Sequence, residues 1–532
     1  MTVLEDATSA ATARNSATVA GWTLVSRATG LLRVVVIGAV LGPTYFGNSF
    51  QAGYIVPNIV FTLLAGPVLT MVLVPGVVGA VSAGDLARAQ QMLGRVTGWL
   101  LAVSSAVVAL LMIAAPAVAW TLTFGIPNPA QRAQGLQFTT LLILIVAPQI
   151  LLYCLIYLGM AAQQARGRFA MAAGAPAVEN IILILTVTLA GWYYGTGLDI
   201  SHVPVDLVVA LGLGSTAAVA LHAALQLFGA ARVGLLTRPS TRWRHDSEAV
   251  AVIRRMMRSV GVAAWPAAAM YLLLALASSV PGGVFVIQLS YSVFYALSYI
   301  SARAVSMAAL PGLARAAHHE DRAQFNVAWR QGLSYAVIAS LPLLVLLAVF
   351  SRPTADILAH GELRHGSLIG PLATCLIVVA VAQLVGGVHD IGRQALFALL
   401  DDRVPRRASE VAFGITLLIA AASLLLPANG ARLILLVVAI LASELAAGGL
   451  VLFRLRQVVP QEQPVEIRTL AGAVAATAAM VPVAAAVWWL DHLISRNQLG
   501  SFVTLTLGAS VALGVYAIVF WATTTRRKDK AS

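Results

Sequence analysis

Apolar runs of about 20 residues recur along the chain, separated by short polar connections. That length spans about 30 Å of hydrocarbon, so each run predicts a membrane-crossing helix. Fourteen can be drawn, at roughly 18–42, 44–82, 92–124, 135–163, 169–194, 205–236, 250–281, 284–317, 324–350, 367–399, 405–427, 430–455, 467–491 and 500–523. The pattern predicts an all-α polytopic membrane protein. Within it the stretch from Ser26 to Pro75 stands out, because Arg27 and Arg33 lie inside the first span and Pro57 and Pro75 interrupt the second. A charge at membrane depth costs about 2.5–3.5 kcal/mol on insertion scales and so faces a cavity or a partner. A proline frees a backbone carbonyl that lipid cannot satisfy. Charge combined with broken helices is how transporters build binding sites near the midplane.

The spans repeat. Pro75-Gly76 precedes Asp85 and Ala89-Gln90, just as Pro311-Gly312 precedes Asp321 and Ala323-Gln324, an offset of 236 for the Pro-Gly and Asp positions. Gly159 and Ala165 match Gly392 and Ala398 at an offset of 233. Near-equal offsets over this distance point to a duplication. The organisation expected is a polar cytoplasmic tail at 1–17, an N-lobe of six spans at 18–236, a cytoplasmic linker at 237–249, a C-lobe of six spans at 250–456, two extra spans within 457–523, and a basic tail at 524–532. Six is even, so the two lobes share one membrane orientation, and the relating axis is expected along the membrane normal with a cleft between the lobes.

Composition agrees with the bilayer as solvent: of 532 residues, 59% are hydrophobic and 10% charged. The net charge of +13 raises a nucleic-acid reading, but the basic residues are spread over many short loops and form no single patch. Counted on the fourteen-span topology, 26 of the 34 Lys and Arg fall on the side of the N-terminus, 5 on the other side and 3 inside spans. This imbalance predicts that both termini are cytoplasmic. Cys154 and Cys375 sit in apolar runs and read as buried thiols. With no CxxC or Cys/His cluster, no structural metal is expected. No GxSxG, Walker or HExxH motif is present, so neither an enzyme nor a cofactor site is expected.

The charges inside spans are the candidate chemistry. Arg27 and Arg33 are six residues apart, about 9 Å along the helix and about 240° around it, so both cannot point straight into one narrow cleft. Arg303 in the eighth span is either a second cavity cation or the partner of a carboxylate. Glu179 is a counter-ion, a protonation site or a structural pair. Asp390 and Arg393 form an i,i+3 pair beside His389. Glu444 reads as a lone carboxylate and candidate cation or proton site, and His222 as a packing histidine. Gln51, Asn58 and Gln383 either bind sugar hydroxyls or join helices. Arg254, Arg255 and Arg258 serve topology and anionic lipids.

The chain resembles the MurJ/MviN family of the MATE-like (MOP) flippase superfamily. The likeness is carried by Ser26-Arg27-x-x-Gly30-x-x-Arg33, by Pro57-Asn58 and Val74-Pro75, by Arg168-Phe169 followed by Ala175-Pro176 and Asn180, by Leu310-Pro311, and by His360-Gly361. It implies flipping of lipid II, a polyprenyl-pyrophosphate-linked peptidoglycan precursor, by alternating access, with Arg27 and Arg33 carried over as cavity cations. Where the family has charges in the second and eighth spans, this chain has Asn48, Phe61, Gly66 and Ser292. On this reading the substrate-binding set is Arg27, Arg33, Arg303, Asn58 and Gln51, and the candidates for coupling are Glu179, Asp390 and Glu444. The last two spans offer a groove for the lipid tail. The implied partners are the lipid-linked glycan, membrane lipids and cell-wall synthesis proteins. A flippase for another envelope glycan, a non-transporting scaffold of wall synthesis and, more distantly, a drug exporter stay open.

Overall fold

A computed structural model describes the chain apart from residues 1, 65–67, 460–466, 495–497 and 526–532. Gly66 and most of the expected basic tail thus lie outside the described residues, which contain helices and no strands. The chain forms two compact units, Met1–Val284 and Phe285–Ser532. The first contains α1 (Thr2–Leu41), α2 (Tyr45–Leu64), α3 (Val68–Ser82), α4 (Leu86–Thr123), α5 (Pro129–Val146), α6 (Gln149–Ala165), α7 (Ala170–Tyr194), α8 (Val205–Arg232) and α9 (Ser247–Ala277). The second contains α10 (Gly283–Ile300) from Phe285 onward, α11 (Ala302–His318), α12 (Arg322–Val349), α13 (Ser351–Leu358), α14 (Ile369–Ala398), α15 (Arg403–Ser423), α16 (Gly430–Val458), α17 (Ile467–Ile494) and α18 (Gln498–Thr525). Eleven helical segments among the described residues are long and apolar enough to cross a membrane. The three remaining expected spans are α2–α3, α9 and α15; Pro57 and Pro75, expected to interrupt the second span, lie inside α2 and α3. The backbone is helical from Thr2, so the tail expected at 1–17 continues the first helix.

Helix boundaries recur at the two sequence offsets. At 236, the end of α3 at Ser82 matches the end of α11 at His318, and the start of α4 at Leu86 matches the start of α12 at Arg322. The turns between them are alike in detail. Gly84 and Glu320 both have positive φ, and Asp85 and Asp321 both cap the following helix, accepting from Arg88 N and Gln324 N. At 233, the ends of α6 and α14 correspond, as do the starts of α7 and α15, with Gly167 and Leu400 at positive φ in the matching turns. One difference has a clear cause. The fourth span breaks between α5 and α6 at Ala147-Pro148, while its counterpart α14, with Val381 in place of the proline, runs unbroken.

The linker expected at 237–249 is not a loose connection, and packing divides the chain later, at 284/285. The linker lies on α4 because Gly94 and Gly98 leave room for it. A Cβ on Gly98 would stand 2.0 Å from the Ser240 carbonyl oxygen, and Ser240 N donates to Gly94 O at 2.9 Å. Arg95 pairs with Asp246. The docked linker brings α9 against α2, α3 and α4, within the first unit.

Carbonyls freed by prolines find donors. Pro176 has no N–H for Ala172 O, and Gln226 Nε2 supplies one at 3.3 Å. Pro342 likewise frees Ile338 O, which accepts from Tyr516 of α18 at 3.0 Å. That bond helps fix the C-terminal pair α17–α18 to α12. Large apolar residues such as Trp192, Leu189, Leu418 and Trp521 stay exposed, as helices facing lipid require.

Candidate functional site

In the first unit, α7 packs along α1 and presents Asn180 to it. Asn180 Nδ2 donates to Ser26 O at 3.2 Å and to Thr29 Oγ1 at 3.1 Å, while its Oδ1 accepts from Arg33 Nη1 at 2.8 Å. The Arg33 guanidinium also lies over the Tyr54 ring, 5.5 Å from its centroid. Arg33 is half-buried and held from two sides, whereas Arg27 is exposed. The 240° between the two arginines is thus expressed as two different environments. Gln51, Tyr54 and Asn58 follow i, i+3, i+7 spacing and share one face of α2. The Gln51 amide and the Tyr54 hydroxyl are buried without hydrogen-bond partners among the described residues, and Asn58 lies against the Tyr153 hydroxyl. Tyr54 and Tyr153 are the members of this group that sequence reasoning did not single out.

Next to Asn180, Glu179 accepts from His222 Nδ1 at 2.6 Å, so the buried His222 is a packing histidine whose ring is satisfied by a carboxylate. Its tautomer follows from its neighbours. Gln226 Oε1 accepts from Gln163 at 2.7 Å and its Nε2 donates to Ala172 O, which leaves an N–H facing His222 Nε2 at 3.3 Å. His222 Nε2 is therefore the acceptor and Nδ1 carries the proton given to Glu179.

The second unit holds a similar set. Arg303 lies over Tyr299 at 4.8 Å and 4.0 Å from Asp390, which also pairs with Arg393 one turn along α14. Asp390 is thus shared by two guanidiniums. Glu444, expected to stand alone, accepts from His389 Nδ1 at 2.7 Å. Each unit therefore contains an arginine over a tyrosine and a histidine–carboxylate pair. The pairs join residues 43 and 55 positions apart, a separation at which sequence gives no pairing signal. Gln383 ties helices together, donating to Ser340 O at 2.9 Å. Among the described residues no group of three or more His, Cys, Asp or Glu is placed to hold a metal ion.

Two positions where the resembling family has charges have structural work here. Asn48 is buried and donates to Val280 O at 2.7 Å and Ser278 O at 3.2 Å, while its Oδ1 accepts from Val284 N at 3.1 Å. Only an amide supplies both donors and an acceptor. Phe61 packs between Tyr153 and Tyr157, with ring centroids at 5.9 and 5.0 Å.

The sequence profile of the family described as lipid II flippase MurJ matches residues 37–519. The probable lipid II flippase MurJ of Haemophilus influenzae is 27% identical over 241 residues, a match spanning 44% of each chain. That of Synechocystis is 24% identical over 397 residues, covering 73% of this chain and 71% of the relative. A solved lipid II flippase MurJ in an inward closed conformation superposes with a TM-score of 0.68 at 16% identity, covering 94% of this chain and 98% of the other. An inward-facing MATE-family multidrug resistance transporter superposes at 0.61 with 15% identity, covering 83% and 96%. At such identities these two likenesses speak to the fold alone, an all-α polytopic transporter fold. The profile covers nearly the whole chain, and this protein belongs to the lipid II flippase MurJ family.

Proposed function

We propose that this chain moves lipid II, a polyprenyl-pyrophosphate-linked cell-wall precursor, from the inner to the outer leaflet of the bacterial cytoplasmic membrane by alternating access. Family membership supports the cargo. The observation that carries the chemistry is Arg33, a guanidinium fixed inside a membrane-spanning unit by Asn180 and Tyr54. A pyrophosphate crossing hydrocarbon needs a positioned cation, and a planar guanidinium pairs with it bidentately. Arg27 stands at the exposed entry of the same helix, and Gln51 and Asn58 offer amides to sugar hydroxyls. Arg303 serves the second unit in the same way, with Asp390 and Tyr299 holding it in place. The asymmetry of Lys and Arg supports cytoplasmic termini.

Glu179 and Glu444, each bonded to a histidine, are the groups we assign to coupling. Membrane potential adds a drive of about 2.3 kcal/mol per charge per 100 mV. The test is growth of a bacterium depleted of its own lipid II flippase. The wild-type chain restores growth, Arg33→Ala at equal expression does not, and Arg33→Lys restores it in part. Full rescue by Arg33→Ala removes the assigned role.

A further inference from the structure

Away from these interiors, Asp401 with the first turns of α15 and the last turns of α16 border an open cavity of about 350 Å³. This lies within the roughly 300–1,000 Å³ range of small-ligand sites. Its α16 wall is one helix face, Leu450, Phe453, Arg454 and Gln457, at i, i+3, i+4, i+7 spacing. The facing wall carries Arg403 and Arg407. Three guanidiniums thus meet one carboxylate, Asp401. That carboxylate is already committed: Oδ2 accepts from Arg454 at 3.0 Å, and Oδ1 accepts from Val404 N at 3.3 Å. The neighbouring Arg406 is neutralised by Glu410 at 3.1 Å. Among the described residues Arg403 and Arg407 pair with no carboxylate.

The apolar surroundings point to the kind of anion. Leu400, at the tip of the turn joining α14 to α15, is 90% exposed and has φ of 59°. L-residues with side chains adopt that conformation at a cost. At the corresponding turn of the first unit the residue is Gly167, and Ala170 and Gly174 stand where Arg403 and Arg407 stand here. The cationic cavity and its exposed leucine are therefore not a product of the duplication. Phe453 is also exposed, on the cavity rim. Cations set between exposed apolar side chains, where apolar helices give way to a charged turn, match the phosphate and acyl boundary of a lipid.

We propose that this cavity binds the phosphate of an anionic glycerophospholipid as a resident lipid site, separate from the flipping route. Native mass spectrometry of the full-length protein, titrated with phosphatidylglycerol and with phosphatidylcholine, tests it. The wild type retains one phosphatidylglycerol more strongly than phosphatidylcholine. Arg403→Gln with Arg407→Gln weakens that lipid roughly thirtyfold, and Arg406→Gln leaves it unchanged. A photoactivatable phosphatidylglycerol labels peptides containing Leu400 or Phe453. Unchanged retention in the double variant, labelling confined to other helices, or displacement by millimolar inorganic phosphate each overturns the proposal, the last by showing a site for free phosphate instead.

Discussion

At the scale of single residues, the structure shows polar side chains holding turns and helices in place. Asn48 occupies a position that is acidic in the resembling family, yet two carbonyls face its amide nitrogen. Asn48→Asp turns a carboxylate oxygen toward those carbonyls and strips both of their donor. Thermal unfolding in detergent should show a loss of about 3 kcal/mol. A variant as stable as the wild type means that the bonds to Ser278 and Val280 do not hold the turn. Glu179→Gln keeps an acceptor for His222 but removes the carboxylate charge beside it. The pH dependence of transport should flatten while the variant stays folded, and a pH profile identical to the wild type's takes Glu179 out of coupling. Arg33 was singled out because it lies inside a span. Its partner Asn180 was quoted only as part of the likeness, and His222 and His389 were not seen as carboxylate partners. Their pairings depend on which helices meet, and helix neighbours are set by packing that no local pattern reports.

At the scale of elements, proline and glycine chemistry was the most readable layer. Pro57 and Pro75 lie inside α2 and α3, and the repeat offsets taken from Pro75, Asp85, Gly159 and Ala165 return as helix ends and capping turns. The docking of residues 237–249 was not legible, because the glycines that receive them, Gly94 and Gly98, lie on another helix and read simply as small residues of a span. Gly98→Ala should displace the linker and lower stability by about 1–3 kcal/mol. The paired turns allow a sharper comparison. Glu320 adopts the left-handed conformation that Gly84 supplies freely at the matching place. Glu320→Gly should raise stability by about 1 kcal/mol and Gly84→Ala lower it by a similar amount, both read by chemical or thermal unfolding. If Glu320→Gly destabilises, its side chain outweighs its backbone strain.

At the scale of the molecule, the bilayer explains most of what is unusual in the chain. The helices leave large apolar residues outside and keep arginines, carboxylates and histidines within each unit. The family supplies a cargo whose pyrophosphate is chemically matched to a fixed guanidinium. Length and apolarity made the fold class legible at once, because the membrane imposes those patterns on every span. The most direct measurement is translocation of fluorescent lipid II in proteoliposomes, read by its exposure to an impermeant quencher. The wild-type chain should carry the lipid across well above the protein-free rate, and Arg33→Ala, folded and equally incorporated, should fall to that background. Transport by Arg33→Ala at the wild-type rate, or no wild-type transport above background, contradicts the account.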